Sequence, residues 1–159
     1  MSAVILDNWE DQTNLGILAI SSHLEDYQFA FTLNRLFKTH LKNTFYPTNI
    51  RKRGRLFNYS VYKSTETKIT PTLYFIDNQS IQESGGEEIN TLFNSNIYIQ
   101  SPLIESLKKW HYIMISSDIN WLENISSELF LNNFTYTLMI DIQSLKKNEQ
   151  SILYSITYD

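Results

Sequence analysis

The spacing of hydrophobic positions changes period several times along this chain, and each change marks an element. Residues 17–22, ILAISS, open on an unbroken apolar run that predicts a short buried strand. A helix should follow. Ser22 and Glu25 have the spacing of a capping box, and Phe29, Leu33, Leu36, Phe37 and Leu41 recur at helical intervals. Residues 43–50 read as a loop marked by Pro47. From Leu56 the period becomes two: Phe57, Tyr59 and Val61 share a face, and Asn58 and Ser60 point away. The polar STETK is turn-like, and PTLYFID is the next strand, with Pro71 at its start, where a missing N–H is tolerated.

The second half is punctuated more clearly. Ser101-Pro102 predicts a helix start, with Leu103, Ile104 and Leu107 as its stripe. HYIMISS is a strand. Asn120 and Glu123 can cap another helix, Asn120 to Leu131, striped by Leu122, Ile125 and Leu129. FTYTLMIDI is a last strand, and the tail SLKKNEQSILYSITYD fits either a short helix or an edge strand. LFNSNIYIQ reads as an extra strand or as part of the loop before it. The first six elements match a split β-α-β-β-α-β, or ferredoxin-like, order. The expectation is an α+β fold with a mostly antiparallel sheet, helices packed on one face, and an added helix and strand. Length predicts one domain spanning residues 1–159, with the N-terminal ~15 residues and the acidic 78–90 loop flexible.

Composition narrows the functions worth testing. The chain has no cysteine, so disulfides, thiolate metal sites and Cys nucleophiles are excluded. No apolar run approaches the ~20 residues of a membrane span, and the opening residues lack a signal-peptide pattern. The expectation is a cytoplasmic protein with no membrane partner. Four of the thirteen basic residues, Arg51, Lys52, Arg53 and Arg55, fall within five positions, while seventeen acidic residues give a net charge of -4. That balance weighs against a broad phosphate-binding surface. The cluster reads first as the solvated entrance to a strand, its charges guarding against pairing with other chains. The alternative is a small RNA-binding module using Arg51, Lys52, Arg53 and Arg55 on phosphates and Tyr59 or Tyr62 on bases.

Catalytic signals are absent from the sequence. His23, His40 and His111 lack metal-ligand spacing, and the four glycines form no phosphate-binding or nucleophile-elbow motif. Glu83, Glu87 and Glu88 flank Gly85-Gly86 without EF-hand spacing and read as a solvated loop. No cofactor is expected.

The strands are apolar on both sides. Tyr74, Tyr112 and Tyr136 fall among residues that a one-sided sheet would leave open. Either the chain's own later elements cover that face, or it is an interface for a protein partner or a second copy, since Tyr and Met are enriched at such surfaces. The function expected on these grounds is non-enzymatic: a protein-interaction or self-associating module.

SSHLEDYQFAFTLNRLF resembles the opening of the IPExxxVDY family proteins of Bacteroidetes, whose first helix carries a D-Y-x-[LF]-A-x-x-[LF]-N pattern. Here the pattern is Asp26, Tyr27, Phe29, Ala30, Leu33 and Asn34. LFNYSVYKS, TLYFIDNQS and PLIESLKKWHYIMI are similar echoes, with Asn78-Gln79 where members often have Asn-Lys and His111-Tyr112 where they often have Asp-Tyr. LNNFTYTL stands in place of the name-giving motif, with Phe134 and Tyr136 as its matches. The resemblance spans Ile17 to Leu153 and implies a small cytoplasmic bacterial protein, with no activity, cofactor or catalytic residue attached.

Overall fold

Unbroken apolar runs become the middle of the sheet. In the computed structural model, which describes residues 15–83, 98–131 and 136–157, strand β1 (Gly16–Ser21) is buried along nearly its whole length. It is flanked by β9 (Tyr112–Ser116) and by β10 (Tyr136–Ile140), both antiparallel to it. β6 (Leu73–Asp77) pairs with β9, β5 (Val61–Ser64) with β6, and the two-residue β2 (Lys42–Asn43) closes the far edge. The order is β10-β1-β9-β6-β5-β2, antiparallel throughout. Strands buried on both faces need no alternation, which explains why LYFI and YIMIS read as continuous apolar runs.

Two hairpins stand outside this sheet. β3 (Thr48–Lys52) pairs with β4 (Arg55–Tyr59), and β7 (Gln79–Glu83) with β8 (Tyr98–Pro102). Both revise the sequence reading. The loop expected at 43–50 is partly β3. The single strand expected from Leu56 breaks at Ser60, so Phe57 and Tyr59 belong to the hairpin and Val61 to the sheet. The loop expected at 78–90 begins as a strand, and its remainder from residue 84 lies outside the described residues, as do Glu87, Glu88 and residues 1–14.

Helices lie on both faces, which corrects the one-face expectation. α1 (Asp26–Phe37) and α2 (Ile119–Leu131) pack Phe29, Leu33, Leu122, Ile125 and Leu129 onto Leu18, Ile20, Phe75 and Met114. The tail is a helix, α3 (Lys147–Thr157), and it covers the opposite face: Leu153, Tyr154 and Ile156 join Ile17, Ile76, Ile113 and Ile115, with Phe57 and Tyr59 from the hairpin beside them. The helix expected after Ser101-Pro102 is reduced to a 3-10 turn, Glu105–Leu107, because the strand runs through Pro102 and the backbone is still extended at Ile104 (φ -109°, ψ 106°). Leu103 N donates to the Asn78 carbonyl and Ile104 N to Asn78 Oδ1.

Local caps explain the helix limits. α1 begins one turn later than the Ser22–Glu25 spacing suggested, with Glu25 as N-cap and Gln28 Oε1 accepting from the Glu25 amide at 3.0 Å. It ends at Phe37, where Lys38 turns left-handed, and Asn34 then fixes the exit by bonding the Leu41 amide and carbonyl. α2 is capped by Asp118, whose Oδ1 accepts from Trp121 N at 3.0 Å, and not by Asn120. Gly16 is required by close approach: a Cβ there would lie 2.9 Å from Leu122 Cδ1 and 3.3 Å from Ile119 Cα. Among the described residues no helix is long and apolar enough to cross a membrane.

Candidate interaction surfaces

The three tyrosines singled out by sequence separate in the structure. Tyr74 is buried on the α3 face, its hydroxyl donating to the Thr157 carbonyl at 3.3 Å. Tyr112 is buried on the other face, among Phe29 and Phe75 at ring distances of 5.7 and 4.9 Å, with its hydroxyl donating to the Leu24 carbonyl. Burial, then the charges of Asp77 and Asp26, push its phenol well above the usual range. Tyr136 alone stays open, at 74% exposure, with Leu138 beside it at 50%.

Tyr136 and Leu138 lie outside the cluster that α3 covers. Along β10, Tyr136, Leu138 and Ile140 share the face of Ser21, Ala19 and Ile17, their partners in β1. Ile140 packs against the core beneath the tail, but the other end of the strand projects past it. Thr137 and Met139 face α2, where Thr137 shares a 2.7 Å hydroxyl contact with Ser126 and Met139 packs against the core. Among the described residues no strand pairs with the outer side of β10. Its five residues, YTLMI, carry no charge and no proline. The opposite edge is different, for β2 is two residues long and sets Lys42 against Lys63. Short, charged edges resist pairing with other chains, and long apolar ones invite it.

The basic cluster forms the tip of the β3–β4 hairpin. Arg53 (φ 52°) and Gly54 (φ 76°) both take positive φ, as a two-residue hairpin turn with the sheet's twist demands. Arg51 and Arg53 are exposed. Lys52 is half-buried, and its Nζ donates to Ser101 Oγ at 3.0 Å and to the Pro102 carbonyl. The rings that an RNA reading would use are not offered to solvent. Tyr59 is fully buried with its hydroxyl on the Ser101 carbonyl, and Tyr62 packs edge-on against Phe75. Between this hairpin, β8 and α3 lies a cleft of about 720 Å³.

Other polar groups are committed to structure. His111 Nδ1 accepts from the Ser22 amide at 3.0 Å, tying the end of β1 to the start of β9, while His23 and His40 are exposed. Asn78 has no exposure, and its amide nitrogen donates to the Leu107 and Trp110 carbonyls. Glu149, 2% exposed, accepts from Ser106 N, Ser106 Oγ and Lys146 N, fastening α3 to the 3-10 turn. Burial alone would raise its pKa, but these bonds together bring it below the usual range. Asp77 is raised to about 6 by burial, with Asp26 and Glu25 adding repulsion against the Gln79 amide that favours its charge. Neither Asn78 nor Glu149 stood out as a hub in sequence. Asn78 could be noticed only within the TLYFIDNQS echo. Among the described residues no group of three His, Cys, Asp or Glu side chains could hold a metal ion. Comparison with known proteins finds no matching family model, curated protein or solved structure.

Proposed function

We propose that this chain is a non-enzymatic protein-interaction module whose docking element is the outer edge of β10, used to pair with a second copy of itself. The carrying observation is the uncharged five-residue edge with Tyr136 and Leu138 exposed on it. Antiparallel pairing of β10 with its own copy about Leu138 sets Tyr136 against Ile140 and Thr137 against Met139. No like charges meet, and one patch serves both partners, as a two-fold interface requires. Strand addition would satisfy the open backbone groups and bury the tyrosine and leucine together. The alternative of RNA binding loses its stacking platform, because Tyr59 and Tyr62 are buried. The family resemblance fits the same non-catalytic reading: Phe29, Ala30 and Leu33 are core, and Asn34 is a backbone clamp.

Sedimentation equilibrium from micromolar to millimolar protein tests the proposal. A reversible dimer is expected, and Leu138→Lys should weaken it about ten-fold or more while leaving the melting curve nearly unchanged, since Leu138 is half exposed already. A mass that stays monomeric across this range, or a dimer indifferent to Leu138→Lys, overturns it.

A further inference from the structure

We infer that the cleft between the β3–β4 hairpin and α3 is a binding site for an organic monoanion: a carboxylate head on an apolar body. Its inner wall is apolar, built from Ile50, Phe57, Leu103 and Ile152. Lys52, Arg53 and Arg55 line the cleft from the hairpin side. These apolar side chains stand among polar and charged ones, and at about 720 Å³ the cleft has the size of small-molecule sites.

Lys52 gives the reason for an anion. Its ammonium is half-buried, and the acceptors it meets among the described residues are the Ser101 hydroxyl and the Pro102 carbonyl, both neutral. A partly desolvated cation is ordinarily balanced by a counter-charge, and a carboxylate in the cleft would supply it. The hydroxyl and carbonyl fix the ammonium in place, and ordering it beforehand lowers the cost of binding.

The acidic groups of the same cleft set the charge of the ligand. Glu105 and Glu149 also line it. Glu149 has its oxygens occupied by Ser106 and the Lys146 amide, and it is almost wholly buried. Glu105 is exposed at the cleft lining, and its negative charge counts there as well. The charged side chains of the lining, three basic and two acidic, carry one net positive charge, which favours one negative charge on the ligand and penalises two. A phosphate monoester, which is largely dianionic at neutral pH, should therefore bind less well than a carboxylate of the same body. The apolar wall requires that body, so acetate should not substitute for it.

The sequence hides this site. Its walls come from residues 50–57, 100–105 and 148–152, which only the folded topology brings together.

Titration of the full chain with decanoate, followed by calorimetry and by amide chemical shifts, tests the inference. Saturable binding is expected, with shifts concentrated at Ile50, Phe57, Leu103 and Ile152. Decanol and decyl phosphate should each bind about ten-fold or more weakly. Lys52→Met should weaken decanoate by a similar factor and leave decanol unchanged. If Lys52→Met loosens the hairpin, Arg53→Asn serves instead: asparagine tolerates the left-handed turn, and the variant should weaken decanoate and steepen no other property. Equal affinity for decanol and decanoate, shifts elsewhere on the surface, or no saturation at millimolar ligand overturns the inference. So does a single-stranded oligouridylate that displaces decanoate and binds more tightly, which would assign the cleft to nucleic acid.

Discussion

Replacing Asn78 should reveal how much of the fold hangs on one side chain. It is fully buried between β6 and β7, and it holds the 103–111 segment by three side-chain bonds. Asn78→Leu keeps the volume roughly and removes all three. The bonded groups do not suffer equally. The Leu107 carbonyl still accepts from Trp110 N, and the Trp110 carbonyl still accepts from Gln79 Nε2 at 3.3 Å. Among the described residues Ile104 N has no other acceptor, so it bears the full cost of a buried orphan donor. A lost bond with a surviving partner costs ~1 kcal/mol and an orphaned donor ~1–3, so the sum is about 3–5 kcal/mol. In a domain of this size that lowers the melting temperature by roughly 10 °C. Asn78→Asp separates the geometry from the volume. Its carboxylate still accepts from Ile104 N, but it replaces the amide donor that faced two carbonyls. Burial and those carbonyls will raise its pKa in the folded state, so stability should recover on acidification, when the protonated acid donates to one of them. Urea denaturation of both variants between pH 4 and 8 measures this. A loss below ~1 kcal/mol in Asn78→Leu, or a flat pH dependence of the Asn78→Asp difference, would refute the hub role.

Three further outcomes are expected. Glu149 has a lowered folded pKa, so its stabilisation is present above the ordinary carboxylate range, near pH 4, and is lost as pH falls through the folded value. Glu149→Gln should cost about 1–3 kcal/mol at pH 7 and flatten the acid limb of a stability-pH curve, and an unchanged acid limb would contradict the staple between α3 and the 3-10 turn. Asp77 has the opposite sign: its raised pKa of about 6 means the folded state holds its proton more tightly, so stability falls as pH rises from the unfolded value toward 6 and is level above it. Asp77→Asn, which keeps an oxygen for the Gln79 amide, should gain up to about 3 kcal/mol at pH 7 and none at pH 3, a difference that urea titrations at the two pH values would detect or exclude. Gly16→Ala should cost about 1–3 kcal/mol by pushing β1 from α2, and an unchanged denaturation midpoint would mean that the contact relaxes freely.

The elements whose burial is simple were readable in sequence, and those held by polar groups were not. β1, β6 and β9 announced themselves as continuous apolar runs because both of their faces are covered. α3 stayed ambiguous for a specific reason. Its inner positions follow helical spacing, but two of them are Glu149 and Gln150, buried polar residues that broke the apolar stripe. The β3–β4 hairpin carried no Asn-Gly signal because Arg53 takes the left-handed position beside Gly54. The false helix after Ser101-Pro102 came from reading that pair locally, when both residues sit in the β7–β8 ladder opposite Ser80 and Gln79, more than twenty residues upstream. Of the sheet tyrosines, Tyr136 is the one left open, and nothing local distinguishes it from Tyr74 or Tyr112. The path of α3 decides it, for its last residues lie over Tyr74 and not over β10.

That path also limits where this chain can meet others. A six-stranded sheet that is apolar on both sides would be an aggregation surface if it carried helices on one face alone. α3 and the β3–β4 hairpin remove most of that hazard by covering Ile17, Ile76, Ile113 and Ile115. They stop short of Tyr136 and leave a gap between themselves at the hairpin. The two openings differ in chemistry as well as position. At β10 the exposed groups are a ring, a leucine and a strand edge that no other described strand pairs, which suit another strand. At the hairpin they are cations around an apolar wall, which suit a small acid. Glu149 anchors the layer between the openings through the first turn of α3 and also forms part of the cleft wall. Loosening α3 by protonating Glu149 would therefore disturb the cleft directly, while the β10 edge, held by β1 and α2, would keep its shape and gain apolar area beside it.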